Sequence, residues 1–102
     1  MSCNNNHRDY FVYILTNKYN KVLYVGSTND LSRRTYEHKH RFFKNSFTDK
    51  YNVTKLVYFE LVGDMPDARH QEWLLKRWHR KWKIKLIEST NPNWEDLYES
   101  IL

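Results

Sequence analysis

Two short runs of apolar, β-branched and aromatic residues open the chain, Tyr10 to Leu15 and Val22 to Val25. Between them lies Thr16-Asn17-Lys18-Tyr19-Asn20-Lys21, a polar stretch rich in turn formers. The pair predicts an antiparallel hairpin. Thr28-Asn29-Asp30 then offers capping oxygens before a helical pattern that runs to about Phe43. On a helical wheel Leu31, Thr35, His38 and Phe42 share one face, and Arg34 and Arg41 fall at its margin.

Lys44 to Asn52 reads as a polar loop. Val53 to Val62 follows as a third, central strand with Leu56-Val57-Tyr58-Phe59 in its middle. Asp64-Met65-Pro66-Asp67 punctuates the chain and starts a second helix, Asp67 to about Lys81, with proline near its first turn. Ala68, Leu75, Trp78 and Trp82 form its apolar stripe, and Glu72 sits at the stripe's edge, where a carboxylate needs a partner. Lys83 to Glu88 continues as a short helical piece. Ser89-Thr90-Asn91-Pro92 breaks it, because the residue before proline is pushed out of the helical region, so Asn91 is expected in a defined turn. A last helical turn, Trp94 to Ile101, presents Trp94, Leu97 and Ile101 at spacings of three and four.

Composition narrows the class. A chain of 102 residues fits one small domain, here 10–102, after a flexible start at 1–9. With 40% hydrophobic residues and only two glycines and two prolines, extensive disorder is excluded. No apolar run approaches the roughly 20 residues that span a bilayer, and Met1 to Arg8 lacks the apolar centre of a signal peptide, so the expected location is the cytoplasm. The single Cys3, at a frayed terminus, forms no intrachain disulfide and reads as inert. The net charge of +5 favours a polyanionic partner without giving sequence specificity. Aromatic residues make up 17% of the chain, and for any one of them core volume is a commoner role than base stacking. A zinc site built from His38, His40, His70 and His79 fails on ligand chemistry, since the chain has one cysteine and no paired ligand spacing.

Certain polar residues suit phosphodiester hydrolysis, which needs an activated water, positive charge beside the phosphoryl oxygens and help for the departing 3′ oxygen. Arg34 has the forked, permanently charged donors that fit phosphate, and Glu72 is a hard oxygen ligand for magnesium or manganese. Tyr13 and Tyr24, with a reference pKa near 10, need a cationic neighbour or a metal ion before either acts as a base. His38 exchanges protons near neutrality. Taken singly, each has an ordinary structural role: strand aromatics, a surface ion pair, a helix histidine, and for Asn91 a turn brace.

The spacing joins them. Phe11-Val12-Tyr13 and Tyr24-Val25-Gly26 are followed by Arg34, His38, Glu72 and Asn91, an order that resembles the GIY-YIG nuclease family over about residues 10 to 98. The chain is most similar to the small stand-alone bacterial members, themselves like the N-terminal nuclease domain of the excision-repair incision subunit UvrC. Asn29-Asp30-Leu31, Lys55 to Glu60 and Lys83 to Trp94 carry that likeness. The resemblance implies an α/β (α+β) fold with a three-stranded antiparallel sheet flanked by helices, and a shallow basic groove on one sheet face. It also implies metal-dependent DNA endonuclease activity.

In that reading Tyr13, Tyr24, Arg34, His38, Glu72 and Asn91 are catalytic, and Glu72 is the ligand of one divalent ion, Mg2+ or Mn2+. Tyr24 ranks slightly above Tyr13 as base, and Gly26 has a structural part. Arg33, Lys39, Arg41 and Lys44 hold DNA electrostatically. A DNA branch, nick or flap, or a partner protein, supplies specificity. Two departures stand out: Phe11 replaces the glycine of the first triplet, and Ser27 stands where the excision-repair branch carries lysine. The alternative is a non-catalytic nucleic-acid-binding or adaptor domain with the same fold.

Overall fold

Strand β1 (Tyr10–Thr16) has no polar side, for every residue from Val12 to Thr16 is buried. A run of this kind belongs in the middle of a sheet covered on both faces. β1 accordingly pairs antiparallel with β2 (Leu23–Thr28) on one side and β3 (Lys55–Gly63) on the other, giving the order β2-β1-β3. The expectation that the third strand is central is therefore corrected. Glu60 and Leu61 of β3 are exposed, which an outer strand tolerates and a central one does not. These elements belong to a computed structural model that describes residues 9–102. The expectations for the N-terminal stretch and Cys3 fall outside the described residues.

Period-two alternation along β1 sends its side chains into two cores. Val12 and Ile14 pack with Val25, Val57, Ala68, Leu75 and Ile87. Tyr13 and Leu15 pack with Leu31, Val53 and Leu56. Helices α3 (Met65–Arg77) and α4 (Arg80–Thr90) furnish the first core. The second is closed by α1 (Leu31–Lys39) and by a C-terminal 3-10 turn, Tyr98–Ile101, through Leu97 and Ile101.

Asp30 caps α1 by accepting from the Arg33 backbone N–H at 3.2 Å, as the capping oxygens predicted. The helix stops at Lys39, short of the expected Phe43, and Arg41 turns the chain with a φ of +61°. Phe42 consequently leaves the buried face and is exposed. The stretch expected to be only loop contains a short helix, α2 (Phe47–Lys50), capped by Ser46. Arg41 ties it down, donating to the Asp49 carbonyl and carboxylate and to Asn52.

Asp64 and Pro66 start α3 as their positions predict. The expected continuation through Lys81 is replaced by a break: Trp78 and His79 are extended, with ψ of 146° and 150°, and α4 begins at Arg80. No glycine or proline marks this break. It redirects the chain so that Ile87 of α4 reaches the core. Of the predicted apolar stripe only Ala68 and Leu75 are buried, while Trp78 and Trp82 face solvent. Among the described residues no helix is long and apolar enough to cross a membrane.

Asn91 ends α4 and is buried. Val57 is skipped in the register, where Ile14 pairs with Tyr58 and Leu15 with Leu56. The Asn91 amide donates to the Val57 carbonyl at 3.1 Å and to the Glu95 carbonyl at 2.9 Å, and its oxygen accepts from the Glu95 N–H at 3.0 Å. The expected final helix is thereby shortened to the 3-10 turn, and the segment before it lies along the outer edge of β3. Leu97 N–H donates to Leu56 O at 2.7 Å, and Leu56 N–H donates to Asp96 at 3.2 Å. At Leu56 the edge is thereby closed to pairing with other chains. Replacing Asn91 with Ala leaves three backbone groups without their partner, and should lower stability by about 2 kcal/mol. Urea unfolding with an unchanged m-value checks this; an unaltered midpoint refutes the bracing role.

Candidate active site

Register places Tyr13 directly opposite Gly26. The phenol is fully buried and lies across the glycine, so that a Cβ added at Gly26 would stand 2.5 Å from the Tyr13 hydroxyl oxygen and 2.6 Å from Cζ. Gly26 is required here for space, since any larger residue collides with a ring that has nowhere to go. Phe11 meets Phe59 edge-on at 6.4 Å, a packing contact that accommodates the missing glycine of the first triplet.

Burying the Tyr13 hydroxyl demands a partner. His38 supplies it: Nε2 lies 3.3 Å from the hydroxyl, and Nδ1 lies 3.1 Å from Thr48 Oγ1 on α2. Burial is the main cause that holds the Tyr13 pKa far above its usual value. Tyr24 reinforces the rise and Arg34 opposes it. His38 is pushed down to about 4, first by burial and then by the Arg34 charge. Both groups are thus neutral at pH 7. The neutral imidazole bridges the two hydroxyls, donating to one of Tyr13 and Thr48 and accepting from the other, and the Thr48 hydroxyl lies 3.2 Å from Ser46 Oγ.

Along β2, as along any strand, successive residues point to opposite faces of the sheet. Gly26 meets Tyr13, while Ser27 Oγ turns to α3 and donates to Glu72 Oε1 at 2.5 Å. Glu72 Oε2 is paired with Lys76 Nζ at 2.7 Å, one helical turn away. Around this edge runs a cleft of about 600 Å³ whose lining includes Tyr13, Tyr24, Ser27, Arg34, Arg69 and Glu72. Arg34 is half-buried, with Nε 3.4 Å from Glu37 and its guanidinium 5.7 Å from the Phe43 ring centre. Its Nε makes no hydrogen bond, which leaves an unsatisfied donor in the wall. Tyr24 packs against His38 at 5.6 Å and Phe47 at 6.2 Å and lines the same cleft.

Four of the six residues expected to be catalytic, Tyr13, Tyr24, Arg34 and Glu72, therefore line one cleft. His38 stands behind Tyr13, and Asn91 braces β3 instead of lining the cleft. The four cations expected to hold nucleic acid lie off it: Arg33 pairs with Asp30 and Glu37, Lys39 is taken up by Asp96 and the Thr54 carbonyl, Arg41 clamps α2, and Lys44 is exposed. The cations that do line it beside Arg34 are Arg69 and Lys76 of α3. Both are spaced to share a helix face with Glu72, at three residues before and four after, which was the available signal for finding them. Lys76 also answers the absence of lysine at position 27: positive charge stands in the cleft, delivered from a different element.

A sequence profile of the GIY-YIG catalytic domain matches residues 9–85. The chain belongs to the GIY-YIG family. It is 35% identical over 89 residues to a UPF0213 protein of Clostridium perfringens, a match covering 87% of this chain and 92% of that one. A UPF0213 protein of Syntrophus aciditrophicus is 32% identical over 82 residues, covering 80% and 92%. The solution NMR structure of a UPF0213 protein from Bacillus halodurans shares the fold with a TM-score of 0.53 at 25% identity, covering 86% of this chain and 92% of that one. GIY-YIG is a nuclease family, and the three-stranded antiparallel sheet with helices on both faces is its fold.

GIY-YIG nucleases use a divalent ion, and the donor set here can be judged directly. Among the described residues no group of three or more His, Cys, Asp or Glu side chains converges. A single carboxylate, a neighbouring hydroxyl and a polar open cleft suit a magnesium-like ion, which keeps most of its waters and takes one or two carboxylates. Glu72 fits that role once Lys76 gives way, and an exposed i,i+4 pair worth about 0.3–0.5 kcal/mol is readily displaced.

Two predictions follow from the Gly26–Tyr13–His38 stack. Gly26→Ala should destabilise the GIY-YIG domain by roughly 1–3 kcal/mol, and combined with Tyr13→Val the two costs should fall short of their sum, because the second change removes what the first collides with. Additive unfolding energies would contradict the collision. His38 is protonated more readily in the unfolded chain, near pH 6.5, than in the folded one, near 4. Its contribution is therefore complete above pH 6.5 and is lost as pH falls from there toward 4. His38→Gln should flatten the stability profile in that window, measured by thermal melts, while leaving the carboxylate-driven loss below pH 4.

Proposed function

We propose that the cleft hydrolyses phosphodiester bonds of DNA with the help of one divalent ion, Mg2+ or Mn2+. The observation that carries this reading is the meeting of Tyr24, Arg34 and Glu72, from three separate elements, around a glycine that the buried Tyr13 makes obligatory. Core packing explains Tyr13. It does not explain why Arg34, Arg69 and Lys76 gather with a single carboxylate, Glu72, around the same open cleft.

The roles follow from position. Bound at Glu72 beside Ser27, a divalent ion would supply positive charge to a phosphoryl oxygen and to the departing 3′ oxygen. Arg34 offers its forked donors to the phosphate and carries part of the charge that builds up on it. Lys76, released from Glu72, adds a mobile positive charge at the same place. Tyr24 is the tyrosine that orients the attacking water, since Tyr13 keeps its own proton against His38. Tyr13 and His38 hold the strand and α1 in register, so that Arg34, one turn before His38, stays aimed at the cleft. Asn91 acts on the architecture.

Backbone contacts come from Arg34, Arg69 and Lys76, with Arg33, Lys39, Arg41 and Lys44 adding to the positive field around α1. A cleft this open reads DNA shape, so we assign it to branched, nicked or flapped substrates of repair or recombination, in the cytoplasm.

Cleavage of labelled plain, nicked and branched DNA with magnesium, manganese or chelator tests the assignment. Glu72→Gln should abolish metal-dependent cutting, and Arg34→Ala should slow it by roughly 10²- to 10³-fold, with the fold retained in both. DNA affinity should fall steeply with salt. Full activity in Glu72→Gln refutes the metal role, and salt-sensitive binding without cutting under any metal assigns the chain to non-catalytic nucleic-acid binding.

A further inference from the structure

Trp73, Trp78 and Trp82 are exposed by 53%, 41% and 47%, although tryptophan is on average a well-buried residue. They lie on α3, at its break and on α4, and Trp73 and Trp82 each neighbour a cation. Arg77 sits 4.8 Å from the centre of the Trp73 ring, and Lys81 and Lys85 approach Trp82 at 5.7 and 5.2 Å. Trp78, Trp82, Arg77 and His79 also line a surface groove of about 450 Å³. The groove and the cleft are linked, for Trp73 lines the cleft and Arg77 joins Trp73 to the groove.

Charge identifies the occupant. Residues 65–90 contain seven Lys or Arg against three Asp or Glu, so this segment holds four of the five net positive charges of the chain. A surface for a second copy of the chain would bring these like charges together, and lysine is depleted in protein interfaces. A duplex presents phosphates and offers no free base faces to a tryptophan. Unpaired nucleotides offer both, and an aromatic surface edged with cations is the chemistry that holds them.

We propose that the α3–α4 face is a stacking platform for single-stranded DNA, which seats the unpaired arm of a substrate whose junction lies in the cleft. The proposal rests on the nuclease reading for what happens in the cleft, and on the tryptophans for how the substrate is chosen. Stacking on Trp78 and Trp82 orients the strand, and Arg77, Lys81 and Lys85 neutralise its phosphates. The preferred substrates are then flaps and forks, ahead of nicked or continuous duplex.

The test is binding of a fluorescent oligothymidylate to the full chain in chelator, measured by anisotropy, with Trp78→Ala, Trp82→Ala, the double variant and Trp82→Phe. Each alanine change should weaken binding by roughly 5- to 100-fold, Trp82→Phe should keep most of the affinity, and a duplex of equal length should bind more weakly and lose less. Unchanged oligothymidylate affinity in the double variant overturns the platform. So does an equal loss for single strand and duplex, or a change in sedimentation that shows the tryptophans joining two copies. Cutting assays separate the two readings. Tryptophan-dependent binding by a chain that cuts nothing leaves the platform standing and removes the nuclease, whereas flap cutting that is indifferent to Trp78 and Trp82 does the reverse.

Discussion

A buried phenol pressed onto a glycine organises this molecule. Tyr13 fills the second core from the central strand, and its ring occupies the space that any side chain at position 26 would need. A hydroxyl sealed in that core costs a few kcal/mol unless it is hydrogen-bonded, so His38 must stand beside it. The imidazole is buried in its turn and needs Thr48, which explains why a four-residue helix interrupts an otherwise polar loop. One packing contact thus propagates through β2, β1, α1 and α2. Its functional product is the position of Arg34, which lies one turn from His38 on a helix that cannot rotate without breaking the chain of hydrogen bonds.

The cleft beside this stack is electrostatically lopsided. One carboxylate, Glu72, faces Arg34, Arg69 and Lys76. Such a site favours an anion, and on the proposed reading the single carboxylate, with its lysine partner displaced, would be the one hard ligand in a field suited to phosphate. The pairing with Lys76 keeps Glu72 aimed at the cleft. Ser27 has the complementary part, fixing the other oxygen with a hydrogen bond that leaves the cleft side open. A lysine at position 27 would place a fixed charge there. Placing it on α3 makes the charge movable and ties it to the occupancy of Glu72.

Much of this was legible in the chain because local signals and tertiary need agree. The apolar, β-branched run in Tyr10 to Leu15, the capping oxygens at Thr28-Asn29-Asp30 and the punctuation at Asp64-Met65-Pro66-Asp67 and Asn91-Pro92 each correspond to a strand or an element boundary. Tyr13, Tyr24, Arg34 and Glu72, singled out by their spacing, line one cleft. What stayed hidden is non-local. Which strand is central depends on helices covering both faces of β1. The end of α1 at Lys39 depends on Arg41 being clamped to α2, and the α3–α4 break carries no glycine or proline because the position of Ile87 in the core decides it. The cations of the cleft were hidden for the same reason. Arg33, Lys39 and Arg41 look as available as Arg69 and Lys76 until their carboxylate and carbonyl partners are known.

The break between α3 and α4 then has two effects that are hard to obtain together. It buries Ile87, and it turns Trp78 and Trp82 out of the stripe a continuous helix would have hidden. Exposing large apolar rings promotes self-association, and exposed apolar patches on soluble proteins mark binding surfaces. Here the rings are interleaved with Arg77, Lys81 and Lys85, which shield them by cation–π contact and repel other copies of the chain. The geometry is also fixed relative to the chemistry. Glu72 on α3 lies six residues before Trp78, the residue that ends the helix, about 9 Å of helix rise, so Trp78 stands at a set distance from the carboxylate. On the proposed reading, a helix that carries the metal-binding candidate and ends at the first tryptophan of the aromatic face would couple substrate choice to catalysis through one element.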